Sequence, residues 1–221
     1  MKWGDGKWAT WALAGSAFLG GYLVARKTDI GATLTYEGLV LAMKALGVDP
    51  LVAKAVMRVE SGGRSEAAEA SGRMTIRFEP HVFYRYAKQV ILLPGMANVN
   101  DGRNRRGGQD AEYEALAKAL AIDARGAYES ISMGLFQIMG FNFAVCGYSS
   151  AEAMYQALSS SVGAQYASFG RFMVGYARGR LLKAMREKDW PTFGSLYNGT
   201  ASAGPTYERA YNAVVAAQAK A

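Results

Sequence analysis

The chain has 221 residues, of which 51% are hydrophobic and 19% charged, a composition typical of one folded domain with a sizeable core. Its net charge of +7 fits anionic partners such as nucleic acid, a membrane or a bacterial envelope, and fits a basic soluble protein equally well. There is one cysteine, Cys146, and one histidine, His81. This scarcity excludes an intramolecular disulfide and a zinc site made of Cys and His alone.

Residues 8–25 contain no charged side chain. A helix of that length covers about 27 Å, slightly less than the roughly 30 Å hydrocarbon core of a bilayer. Glycine and alanine dilute its large apolar groups, so we predict a weak membrane anchor within residues 1–28, followed by a soluble domain at residues 29–221. A cleavable signal peptide is the second interpretation and a buried core helix the third.

The clearest helix signal is Asp49 followed by Pro50, an N-cap residue with proline in the first turn. This helix should end at Gly62-Gly63, which places Glu60 at its C-terminus among apolar neighbours. Loss of water and the negative end of the helix dipole both favour the neutral form of a carboxyl group. A protonated carboxyl near neutral pH can act as a general acid on a glycosidic bond. The alternative is an ordinary Glu on the last turn of a surface helix.

The stretch after this helix has a different period. Apolar and polar residues alternate between positions 72 and 79, which predicts a strand in a small sheet or hairpin. Pro80 then opens a helix that contains His81. Residues 98–109 carry a basic cluster and are predicted to form a mobile, solvated loop.

The second half of the chain is predicted to be mainly helical. Gln137 stands within an apolar run at residues 127–142, where it either is satisfied inside the core or contacts a substrate amide or hydroxyl. Helical patterns begin near Asp110, at a capping box formed by Ser149 and Glu152, and at Pro205. A turn is predicted at residues 189–191. The fold class is therefore mainly α with a small β-hairpin or sheet (α+β).

Five motifs occur in order within residues 35–215: Glu60-Ser61-Gly62-Gly63, Phe78-Glu79-Pro80-His81-Val82-Phe83, Ser132-x-Gly134-Leu135-Phe136-Gln137-Ile138-Met139-Gly140-Phe141-Asn142, Asp189-Trp190-Pro191-Thr192-Phe193 and Tyr197-Asn198-Gly199. In this order they resemble the motifs of lysozyme-like muramidases and lytic transglycosylases. The pattern is most similar to that of the phage endolysin N-acetylmuramidase family. The resemblance implies a lysozyme-like fold for the soluble domain.

The resemblance also implies roles for individual residues. Glu60 corresponds to the catalytic acid, and Glu69 and Thr75 occupy the spacing of the further catalytic positions in small phage lysozymes. Glu79 is a rival second carboxylate, unless it only pairs with His81 or an arginine. The implied substrate-contacting or acid-orienting residues are Gln137, Tyr197, Asn198 and Ser132.

The reaction that the resemblance implies is cleavage of the bond between N-acetylmuramic acid and N-acetylglucosamine in peptidoglycan, with no metal or cofactor. An ionised Glu69 that positions water would give hydrolysis, whereas its absence would give an anhydro product. Residues 8–25 resemble a signal-arrest-release segment, which implies export through the host translocation machinery, a tether in the inner membrane, and later release into the periplasm as a monomer that binds no nucleic acid.

Two other classes of protein stay open. One is a peptidoglycan amidase or peptidase that uses Cys146 and His81. The other is a non-catalytic protein that binds the envelope or nucleic acid, which would explain the charge but not the five motifs.

Overall fold

The computed structural model describes residues 35–62 and 73–220, so the predictions for residues 1–34 and for Glu69 fall outside the described residues. The helices are α1 (Tyr36–Ala45), α2 (Pro50–Glu60), α3 (Pro80–Ala87), α4 (Gly108–Leu120), α5 (Ala124–Glu129), α6 (Ala151–Ser160), α7 (Val162–Gly175), α8 (Arg180–Glu187), α9 (Trp190–Tyr197) and α10 (Gly204–Gln218). The strands are β1 (Ile76–Phe78), β2 (Ile131–Met133) and β3 (Ile138–Met139). Short 3-10 turns follow β3, α7 and α9. The predicted fold class is confirmed.

Helix α2 begins and ends at its predicted signals. The side chain of Asp49 accepts a hydrogen bond of 2.9 Å from the Leu51 amide, and Pro50 occupies the first turn. At the other end, Ser61 donates its hydroxyl to the Met57 carbonyl at 2.7 Å. Gly62 has a φ of +62°, in the left-handed region that favours glycine, so the chain leaves the helix directly after Glu60.

The three strands form one antiparallel sheet in the order β1-β2-β3. Ile76 pairs with Met133 and Phe78 with Ile131, while β2 and β3 form a hairpin. The predicted strand is thus real, but its partner comes from the Gln137 region rather than from its own neighbourhood. Pairing between distant segments leaves little trace in a local pattern, which explains why the sequence did not identify the partner.

Three local predictions need correction. The loop at residues 98–109 is not fully solvated, because the Arg105 side chain is only 11% exposed and bonds to the buried Glu112. Helix α4 begins at Gly108 rather than Asp110. The N-cap of α6 is Ser150 rather than Ser149, since its hydroxyl accepts the Ala153 amide at 3.0 Å.

Residues 189–191, predicted as a turn, instead start helix α9. The side chain of Asp189 accepts a hydrogen bond of 3.1 Å from the Thr192 amide, and Pro191 fits in the first turn. The signal was therefore that of a helix N-terminus, which also begins with an acidic cap and a proline.

An aromatic cluster joins α7, α9 and α10 behind the end of α2. Phe136 and Phe169 stack with ring centroids 3.9 Å apart, and Phe193 meets Tyr207 edge to face at 4.8 Å. Helix α10 packs along α2, so the fully buried Tyr207 reaches Glu60. Within residues 35–62 and 73–220, every helix is too short or too polar to cross a bilayer.

Candidate active site

Glu60 lies where two cavities meet. The larger, here called the main cleft, has a volume of about 610 Å³ and is bordered by α3, β2, the β3 end and the end of α9. The smaller, here called the side cavity, has a volume of about 280 Å³ and lies between α2, β1 and the start of α4. Glu60, Val59, Arg77 and Gln137 line both. The carboxyl group at the end of α2 is therefore accessible from two directions.

Burial controls the chemistry of Glu60. Loss of solvent raises the pKa of its carboxyl from 4.5 to about 7, and a hydrogen bond donated by the Tyr207 hydroxyl to Oε1 partly opposes this rise. Burial and the nearby Glu60 charge also raise the pKa of Tyr207, so its phenol stays protonated and remains a donor. With Oε1 accepting from Tyr207, Oε2 is left to carry the proton. Such a group can deliver a proton near neutral pH.

Tyr197, the last residue of α9, and Asn198, its C-cap, line the main cleft together with Glu60. The Tyr197 hydroxyl donates to the Phe136 carbonyl at 2.6 Å, and its ring stacks on Phe193, so it supports the cleft wall. The Asn198 side chain lines the main cleft, and its polar group lowers the pKa of the Tyr207 phenol, in opposition to burial and the Glu60 charge.

Gln137 combines the two interpretations that the sequence left open. Its amide nitrogen donates to the Gly134 and Thr75 carbonyls at 2.8 and 3.3 Å, and its oxygen accepts from the Ser132 hydroxyl at 2.8 Å. The residue nevertheless lines both cavities. Both amide hydrogens are taken, so only the second lone pair of Oε1 is available to a ligand. Ser132 and Gln137 chiefly fix the wall between the two cavities.

Glu79 lies in the main cleft but is bound by basic side chains. Its Oε1 accepts from Arg77 Nε at 2.7 Å, and its Oε2 lies 3.5 Å from Arg105 Nη2 and 3.6 Å from His81 Nδ1. The pairings that the sequence offered as the structural alternative are thus both present. Thr75 lines the side cavity with Glu60, while Glu69 lies outside the described residues.

A Cys–His catalytic pair does not fit this arrangement. Cys146 is fully buried, and burial raises the pKa of its thiol to about 12, which suppresses the nucleophilic thiolate. His81 lines the main cleft, whereas Cys146 lines neither cavity. Over residues 35–62 and 73–220, His, Cys, Asp and Glu form no cluster that could hold a metal ion.

Sequence reasoning missed several site residues. Tyr207 carries no local signal beyond its position in a helical pattern, because its role arises from the packing of α10 on α2. Phe141, whose ring is 43% exposed, lines the main cleft and offers an apolar face. Arg105 and Arg106 line the side cavity, although the sequence placed them in a solvated loop.

Helices around a small sheet, with a buried carboxylic acid in an open cleft, define a lysozyme-like glycoside hydrolase. Residues 49–217 match the family model described as N-acetylmuramidase, and the chain belongs to this family. It is therefore a muramidase that acts on peptidoglycan.

A solved structure agrees with this assignment. The crystal structure of the Burkholderia AP3 phage endolysin is 34% identical in sequence and has a TM-score of 0.64, over 84% of this chain and 72% of that one. Comparison with curated proteins gives no match. The predicted family and enzyme class are confirmed.

Proposed function

We propose that this chain is a phage endolysin that cleaves the β-1,4 bond between N-acetylmuramic acid and N-acetylglucosamine to lyse the host cell, with Glu60 as the general acid. The observation that carries the proposal is the position of Glu60 at the junction of two cavities with its pKa raised to about 7. The similarity to a phage endolysin supports the biological setting.

In the proposed reaction the glycan lies along the main cleft with the scissile bond beside Glu60 Oε2. The proton moves from Oε2 to the bridging oxygen while the bond to the anomeric carbon breaks through an oxocarbenium-like state. The carboxylate that remains keeps the hydrogen bond from Tyr207, which stabilises the new negative charge.

The second catalytic group distinguishes two outcomes. For hydrolysis we propose that Glu69, with Thr75, positions the attacking water. The rival carboxylate, Glu79, already accepts from Arg77 and lies near Arg105 and His81, which disfavours it as a base. The same observation favours a second candidate reaction, lytic transglycosylation, in which the muramic hydroxyl attacks and an anhydro product forms.

Mass spectrometry of digested peptidoglycan tests both candidates. The full chain should release fragments that end in a reducing muramic acid, and Glu60→Gln should release them on the order of 10³-fold more slowly. Anhydro ends would instead establish the transglycosylase. Cleavage of a peptide or amide bond, or full activity in Glu60→Gln, would contradict the proposal.

We further propose that residues 8–25 form a weak signal-arrest-release anchor. The enzyme would be exported by the host translocation machinery, held on the periplasmic side of the inner membrane, and released as a soluble monomer. The uncharged, glycine- and alanine-rich composition supports this proposal. Membrane depolarisation should move the full-length protein from the membrane to the periplasm. Cell fractionation before and after depolarisation measures this change. A protein that is shortened and soluble from the start would contradict it.

A further inference from the structure

The side cavity is rich in arginine. Arg77, Arg105 and Arg106 line it beside Glu60, and the only other carboxyl group among the described residues that line it is Glu112. The main cleft adds Arg85 and one further carboxylate, Glu79. Around Glu60, the described residues 35–62 and 73–220 therefore contribute four guanidinium groups and two other carboxylates. This surplus of positive charge favours an anion in the substrate.

The existing ion pairs leave part of this charge free. Arg77 bonds to Glu79 at 2.7 Å, and Arg105 bonds to Glu112 at 3.0 Å and approaches Glu79 at 3.5 Å. Within residues 35–62 and 73–220, no carboxylate pairs with Arg106. Its exposed guanidinium is therefore available to a ligand in the side cavity.

Arg106 is also held in position. Its amide donates to the Pro94 carbonyl at 2.7 Å. Gly95 has a φ of +86°, and a Cβ atom there would come within 3.1 Å of Arg106 Cγ. The aliphatic part of Arg106 thus rests against a glycine backbone, which limits the freedom that its side chain would lose on binding.

The two cavities diverge from Glu60, and the substrate is branched as well. Muramic acid is a branched sugar, because its lactyl group carries a short peptide, whereas the glycan itself continues to the neighbouring sugar. The sugars are uncharged, and the free carboxylates close to the scissile bond belong to that peptide. A cleft that branches at the general acid can hold the glycan in one arm and the peptide in the other.

We propose that the side cavity binds the carboxylates of the peptide stem on the muramic acid next to the scissile bond, with Arg106 as the main contact. The inference rests on the proposed muramidase reaction at Glu60. It makes the stem peptide a determinant of substrate choice: glycan strands whose stems carry free carboxylates are cleaved in preference to the same strands with amidated stems.

The test compares two substrates and three variants. The full chain is assayed on glycan strands that carry free-acid stems and on the same strands whose stem carboxylates have been converted to amides. In Arg106→Gln, the preference for free-acid over amidated stems, measured as the ratio of kcat/KM for the two substrates, should fall about tenfold, equivalent to about 1.4 kcal/mol. Arg106→Lys should keep most of the ratio because it keeps the charge.

Arg103→Gln is the matched control, since Arg103 is an exposed arginine of the same loop that lines neither cavity. It should leave the ratio at the wild-type value. If Arg106→Gln keeps the wild-type ratio, or if the ratio falls equally in Arg103→Gln, the inference about stem binding is overturned while the proposed function is not. Equal use of amidated and free-acid stems by the wild-type enzyme would also overturn this inference.

A wild-type enzyme that cleaves neither substrate would overturn the proposed function, and this inference with it. If the wild-type enzyme cleaves both substrates and Arg106→Gln has the same kcat/KM ratio as the wild type, only the inference about stem binding fails. The proposed muramidase reaction then stands without stem recognition.

Discussion

Glu60 and Glu79 line the same cleft in opposite environments. Glu60 is shielded by apolar neighbours and receives one hydrogen bond from a neutral phenol, so its pKa rises to about 7. Glu79 lies within 3.6 Å of two guanidinium groups and an imidazole. Burial without a cation favours the protonated form of a carboxyl group, as at Glu60, whereas the Glu79 carboxyl is held by the basic side chains around it.

This difference assigns separate functions to the two walls of the cleft. The α2–α10 wall holds the buried Glu60 carboxyl, the proposed acid, and the wall formed by β1, α3 and the loop before α4 carries positive charge. Substitutions that remove a side-chain group from one wall test whether the properties of the other wall depend on it.

The largest effect is expected from loss of the proton at Glu60. Glu60→Gln keeps the volume and an acceptor for Tyr207, but an amide cannot donate the catalytic proton, so kcat should fall on the order of 10³-fold. In the wild-type enzyme, kcat/KM should decline about tenfold per pH unit above about pH 7 as the acid ionises. The release of reducing sugar ends across pH measures both. A rate that is flat to pH 9 would contradict the role of Glu60.

The same substitution should stabilise the fold at alkaline pH. The pKa of Glu60 is 4.5 when unfolded and about 7 when folded, so the native state binds more protons between these values. Stability from this group is present below pH 4.5 and is lost as pH rises through 7, a cost of about 3 kcal/mol. Glu60→Gln should therefore be more stable than the wild type at pH 8 and similar at pH 4.5. Denaturant unfolding at both pH values tests this, and an equal difference at both would exclude ionisation as the cause.

The position of Glu60 at a helix C-terminus could be predicted from sequence because its signals are local. Asp49, Pro50 and Gly62 lie within a few residues of the helix ends that they define. The hydrogen bond from Tyr207 to Glu60 joins residues 147 positions apart and depends on the packing of α10 on α2, which no local sequence pattern predicts.

The basic wall illustrates the same limit. Charge and flanking glycines correctly placed Arg105 and Arg106 in a loop, but the strand and helix against which that loop folds are distant in sequence. Burial of Arg105 requires Glu112 as its partner, and only the assembled structure brings the two together.

Tyr207→Phe should shift the pH profile while it slows the reaction. Without the phenolic hydrogen bond, ionised Glu60 is less stable, its pKa rises further, and the alkaline limb of kcat/KM moves to higher pH. Looser orientation of the carboxyl group should reduce kcat about tenfold. Tyr197→Phe is the matched control, because its hydroxyl bonds to the Phe136 carbonyl rather than to Glu60. Its alkaline limb should stay in place. Equal shifts in both variants would indicate a general loosening of the aromatic cluster.

The smallest catalytic effect is expected for Glu79→Gln. Arg105 keeps Glu112, and Arg77 is half exposed, so the loss should cost about 1–2 kcal/mol of stability and reduce kcat less than tenfold. The alkaline limb set by Glu60 should not move. Parallel assays of Glu69→Gln complete the comparison, since the proposed water-positioning role predicts a much larger loss for that variant. If Glu79→Gln is instead the more damaged enzyme, its carboxylate is the second catalytic group, and the arginines around it act in catalysis as well as in binding.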